Sequence, residues 1–142
     1  MTKRRFIIVT SLALVMASCQ SPGESERSTE AFDEIADSDT IRFTGTEPFW
    51  GGSATGDQLT YTTPENPDGA TIAVTRFAGN SGLGLSGKLE GQTFDMVVTA
   101  GTCSDGMSDR EYPFTVTLEI GEDKRFGCAW TTSRPFTGPE NP

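Results

Sequence analysis

The sequence predicts an all-β fold: a small antiparallel β-barrel or sandwich of seven or eight short strands, braced by one disulfide. Three observations lead there. Tyr112 to Ile120 (YPFTVTLEI) alternates with period two, Phe114, Val116, Leu118 and Ile120 facing one side and Thr115, Thr117 and Glu119 the other. Similar runs recur from Thr40 onward, separated by turn signals, and no stretch carries a convincing helical period. Finally, Cys103 and Cys128 form a pair once the remaining cysteine, Cys19, is given another role.

Taken along the chain, the candidate strands are Ile41 to Thr44, Phe49 to Ala54, Gln58 to Thr63, Thr71 to Phe77, Leu83 to Leu89, Thr93 to Ala100, Tyr112 to Ile120 and Lys124 to Trp130. Glu90-Gly91 and Gly121-Glu122-Asp123 are tight hairpin turns, and Pro64 to Gly69 (PENPDG) is a loop. A meander that closes on itself suits this hairpin order and hides the strand edges. Gly51, Gly52, Gly84, Gly87 and Gly127 are expected to mark bulges or corners of a sharply bent sheet. Residues 40–130 form the β domain. Residues 131–142 carry three prolines and form a loose or docked tail anchored by Phe136.

The amino end has the grammar of an export signal. Lys3, Arg4 and Arg5 precede the apolar run Phe6 to Val15, and Met16-Ala17-Ser18 supply small residues before Cys19. That run is too short for a permanent span, which needs about 20 residues. Met16-Ala17-Ser18-Cys19 resembles the lipobox of bacterial lipoproteins, which implies a signal peptide over 1–18 and a lipidated Cys19. An ordinary secretory signal with an incidental cysteine is the alternative. Gln20, where an inner-membrane retention signal has Asp, implies by the same resemblance an outer-membrane location facing the periplasm, with palmitate among the acyl chains. Gln20 to Asp39 holds seven acidic residues against one Arg, with Phe32 and Ile35 as its only large apolars. Residues 19–39 therefore read as a lipidated cysteine followed by a disordered acidic tether.

Composition narrows the chemistry. The 142 residues contain no histidine, which removes Ser-His-Asp and Cys-His catalysis and His-ligated zinc. Loss of the three signal-peptide cations takes the formal charge from −9 to −12, with 8 basic against 20 acidic residues. Such a chain is not drawn to nucleic acid or anionic head groups, whereas a cationic protein would be steered toward it. The pair Cys103 and Cys128, without CxxC spacing, reads as a structural staple of an oxidising compartment.

Two segments stand out: Gly45-Thr46-Glu47-Pro48-Phe49-Trp50, and Cys103-Ser104-Asp105-Gly106-Met107-Ser108-Asp109 leading through Arg110 and Glu111 into Tyr112-Pro113-Phe114. With Gly127-Cys128-Ala129 they resemble a widespread, uncharacterised family of bacterial envelope proteins sharing G-T-E-P-F-W, C-S-D-G-M-S-D with Y-P-F, and G-C-A. The resemblance covers most of Gly45 to Ala129 and implies a location without an activity. A looser likeness is to the periplasmic inhibitors of c-type lysozyme. Their Ser-Gly-x-x-Tyr loop is not reproduced here, since Ser86-Gly87-Lys88-Leu89 is followed by Glu90.

Phe49 and Trp50 occupy successive strand positions and so face opposite ways, one into the core and the other outward. A buried Glu47 would need a donor, for which Arg110 is the candidate. Ser104, Asp105, Ser108 and Asp109 suit a network of turns bonded to backbone amides, with Gly106 at positive φ. Asp105, Asp109 and Glu111 lack EF-hand spacing, so neither a metal nor another cofactor is expected. Glu47, Phe49, Trp50, Asp105, Asp109, Arg110 and Tyr112 are the candidate ligand-binding residues, and none is expected to be catalytic.

The function expected is that of a non-catalytic, monomeric, lipid-anchored envelope protein whose β domain binds an envelope ligand or protein. Two alternatives stay open: an inhibitor of a cationic hydrolase such as c-type lysozyme, and a carrier of a small apolar ligand, which requires a hollow barrel.

Overall fold

The computed structural model describes residues 30–140. The expected signal peptide, Cys19 and the first ten residues of the acidic tether lie outside the described residues. Eight antiparallel strands close into a barrel in simple meander order: β1 (Ile41–Thr46), β2 (Phe49–Thr55), β3 (Gln58–Thr63), β4 (Asn66–Ala78), β5 (Gly82–Leu89), β6 (Gln92–Cys103), β7 (Tyr112–Ile120) and β8 (Asp123–Thr131). Each candidate strand of the sequence is found. The described residues contain no helix.

Alternation decides what lies inside. Phe43, Leu59, Leu85, Phe94, Met96, Phe114, Val116 and Leu118 are all essentially inaccessible, and each sits at the inward parity of its strand. The rings of Phe43, Trp50, Tyr61 and Phe94 follow one another through the interior at centroid separations of 5.9, 6.3 and 5.8 Å. This filling gives the apolar-carrier reading no support.

Two expectations about segments need correction, and a third, which left two alternatives open, is decided. Residues 30–39 are not a free tether. They form a strap across the end of the barrel where β1 begins, with Ile35 buried in the core cluster and Phe32 packed against it. Phe32 meets Phe114 edge-on at 6.5 Å, and its amide donates to the Gly79 carbonyl at 2.7 Å. Two apolar side chains suffice to dock the strap because the acidic ones point into water or onto cations, as Glu34 does on Arg134. The loop expected over Pro64 to Gly69 is shorter, since β4 starts at Asn66 and pairs with β3, with a register shift between Tyr61 and Thr63. Pro67, which has no amide hydrogen, and Gly69, at φ 82°, sit beside that irregularity, where a ladder bond is dispensable. The tail, finally, is docked: Phe136 packs on the wall, and Glu111 and Thr137 exchange backbone bonds of 3.0 and 2.9 Å.

The expected bulges also move. Of the glycines expected at bulges or corners, none of Gly51, Gly52, Gly84, Gly87 and Gly127 sits at a register shift; among the described residues the shifts lie between Tyr61 and Thr63 and between Ala100 and Cys103. Gly45 and Gly127 serve a different purpose. A Cβ on Gly45 would fall 2.1 Å from Trp50 Nε1, and one on Gly127 would fall 2.2 Å from the Thr44 carbonyl and 2.9 Å from the Trp50 ring. The first glycine of GTEPFW and the glycine of GCA thus leave the space that the motif's tryptophan fills. These motifs are joined by packing.

Candidate functional site

The segment between β6 and β7 folds back over the outer wall of the barrel. Its start is fixed by the Cys103–Cys128 disulfide, with Cα atoms 5.6 Å apart, as the cysteine count predicts. The bridge ties the loop to β8 and encloses a span of 25 residues.

Asp105 organises the loop beyond the bridge. Its Oδ1 accepts from the amides of Met107 (3.0 Å) and Ser108 (2.8 Å), and its Oδ2 accepts from Ser108 Oγ (2.7 Å) and Tyr112 Oη (3.1 Å). Ser104 Oγ accepts from the Gly106 amide, Gly106 has φ 72°, and Ser108 Oγ accepts from the Arg110 amide. This is the turn network that the spacing predicts for Ser104, Asp105 and Ser108; the Asp109 side chain takes no part in it. Partial burial raises the Asp105 carboxyl, but the two amides and two hydroxyls outweigh it and lower the pKa from 3.8 to about 2. A carboxylate held anionic with both oxygens occupied is neither a proton shuttle at neutral pH nor a free metal ligand. Among the described residues, no three His, Cys, Asp or Glu side chains converge as a metal site would require.

Beyond the hub, Tyr112 leaves the barrel core and packs with Trp130 (5.4 Å) and Phe136 (5.6 Å), which meet each other edge-on at 5.6 Å. The Arg110 guanidinium lies 4.6 Å over the Phe136 ring and donates to the carbonyls of Pro139 (2.8 Å) and Glu140. The tail therefore clamps the far end of the loop, and Thr46 Oγ1 donates to the Asp105 carbonyl from the other side at 3.3 Å.

Between this loop and the β1–β2 hairpin lies a groove of about 320 Å³, lined chiefly by Phe49, Met107, Arg110, Tyr112 and Trp130, with Thr44 and Thr46 also in its lining. Phe49 is 53% and Met107 68% exposed. Four of the predicted residues, Phe49, Asp105, Arg110 and Tyr112, are brought together here. The others are not. Trp50 points inward and is buried, which settles the Phe49/Trp50 alternation in favour of Phe49 as the outward ring. Asp109 is exposed on the loop. Glu47 is exposed in the β1–β2 turn, so it needs no donor, and Arg110 serves the tail instead.

Sequence reasoning overlooked Met107 and Trp130. Trp130 shares the outward parity of Phe126 and Cys128 on β8, a signal that was present in the alternation. Met107 follows the φ-positive Gly106 at a loop tip, and only the fold shows it facing the hairpin. Compared with protein-family models, with curated proteins and with solved structures, the chain has no significant match.

Proposed function

We propose that this chain is a non-catalytic, lipid-anchored envelope protein that faces the periplasm and binds a protein partner through the groove between the Ser104–Glu111 loop and the β1–β2 hairpin. The observation that carries the reading is the exposure of Phe49 on β2 and Met107 opposite Trp130, the loop that bears Met107 being fixed by a disulfide, a saturated carboxylate and the docked tail. A preorganised apolar patch loses little ordering entropy when it is covered. Exposed aromatic and methionine side chains are the anchors that protein interfaces favour.

Charge favours a cationic partner. The described residues hold 18 acidic and 7 basic side chains, a net of −11, and the exposed carboxylates of Glu47, Asp109 and Glu111 neighbour groove residues in sequence. Inhibition of a cationic hydrolase is the specific form of this reading, and its binding would weaken steeply with salt.

A photo-crosslinking residue placed at Phe49 in cells, with one at Phe77 as an exposed control, tests the proposal. A discrete adduct formed from position 49 and absent from position 77 supports it. Equal adducts from both, or hydrolysis of glycan, peptide or ester substrates that a single carboxylate substitution abolishes, sinks it. Mass spectrometry of the purified chain tests the anchor, through a diacylated Cys19 at the processed amino end.

A further inference from the structure

A second groove, of about 330 Å³, lies on the opposite side of the same loop. The β1–β8 ladder that closes the barrel runs for only four pairs and stops at Thr44–Cys128, whereas β7–β8 continues down to Ile120–Asp123. Beyond Cys128 the outer edge of β8 has a strand neighbour on one side only, and the Cys103–Asp105 segment walls the opening.

The lining is hydroxyl-rich and, among the described residues, carries a single charge. Thr44, Thr46, Thr115 and Thr117 border the groove, and the Phe126 ring is 69% exposed beside them. Thr46 donates to the Asp105 carbonyl and Thr115 shares a 2.6 Å bond with Thr99. Among the described residues, the hydroxyls of Thr44 and Thr117 have no protein hydrogen bond. Asp105 is the one charged residue of the lining, and both its carboxylate oxygens are taken on the loop's own side.

We propose that this groove binds a neutral saccharide. A sugar ring presents an apolar C–H face, which stacks on an exposed aromatic, and an edge of hydroxyls, which both donate to and accept from threonines. The volume lies within the range of small-ligand clefts, about 300–1,000 Å³. No cation lines the groove to hold an anionic ligand. An extended peptide paired on the β8 edge would need pockets at alternate side chains, and here Phe126 stands alone among threonines. Thr44, Thr46 and Asp105 also border the Phe49 groove, but Phe126, Thr115 and Thr117, which carry this inference, line the second groove and not the first.

The test is an amide-resolved NMR titration of the full processed chain, in a detergent without a sugar head group, with maltotriose and with chitotriose. Saturating shifts at Thr44, Thr115 to Thr117 and Phe126 to Gly127 are expected with at least one of them. Phe126→Ala and Thr117→Val, each checked for a native spectrum, weaken binding by about tenfold or more, and Met107→Ala across the loop leaves it unchanged. Absence of saturating shifts with both sugars at about 20 mM, well past millimolar affinity, overturns the proposal. So do shifts that survive both groove substitutions, or protection of the β8 edge by an unstructured peptide with no response to sugar.

Discussion

Replacing Asp105 by Asn probes the hub of the loop. The amide oxygen can still accept from the Met107 and Ser108 amides, but the NH2 that replaces Oδ2 cannot accept from Ser108 Oγ or Tyr112 Oη. A fall in pKa from 3.8 to about 2 corresponds to about 2.4 kcal/mol, at about 1.4 kcal/mol per pH unit. The carboxylate is only partly buried, so solvent screening reduces this to about 1–2 kcal/mol. Because the folded-state pKa lies below the unfolded one, the contribution is complete above about pH 5 and is lost as the pH falls from 4 toward 2. Urea unfolding of both proteins, with the disulfide intact, measures it. The native chain should be more stable than Asp105→Asn by about 1–2 kcal/mol at pH 6, with most of that gap gone at pH 2. A gap of equal size at both pH values, or none at pH 6, would refute the reasoning.

Other substitutions act through the packing. Gly127→Ala drives a methyl group into the Thr44 carbonyl and the Trp50 ring and should cost about 1–3 kcal/mol, whereas Gly84→Ala, with its nearest atom at 3.6 Å, should be near neutral in the same thermal melts. Changing Cys103 and Cys128 together to Ser should lower stability by roughly 3 kcal/mol from chain entropy, and reductant should have no further effect on that variant. Arg76 points inward with three buried nitrogens that lack hydrogen-bond partners among the described residues, the Asp37 carboxylate lying 3.6 Å from Nε. Arg76→Met should therefore unfold at equal or higher urea, with a gain of up to about 4 kcal/mol; a clear loss would mean that the guanidinium is better satisfied than its surroundings indicate.

The strands were legible because their alternation is local. Phe114, Val116 and Leu118 announce their inward face within nine residues, and the closing of the meander rests on hairpin turns such as Glu90-Gly91, where both residues adopt positive φ. The Asp105 hub was legible for the same reason, since its amide partners lie two and three residues away. What escaped was nonlocal. Acidic composition hid the docking of Ile35, which depends on a barrel mouth built from strands far along the chain. The cluster of Tyr112, Trp130 and Phe136 joins three separate segments outside the core, and nothing within any one of them specifies the other two. Burial of Glu47, and with it the need for Arg110 as its donor, is likewise not a local property: Glu47 is exposed, and Arg110 donates to carbonyls of the tail.

The docked strap also sets how far the barrel can stray. With a lipid on Cys19, as proposed, only the eleven residue steps to Glu30 separate the anchor from the folded body. Eleven fully extended residue steps span at most about 40 Å, around half of the span that would reach to Thr40. Under that anchoring, a target would have to come close to the bilayer to be met. Lengthening the stretch before Glu30 by inserting Gly-Ser repeats would extend the radius of capture without touching either groove.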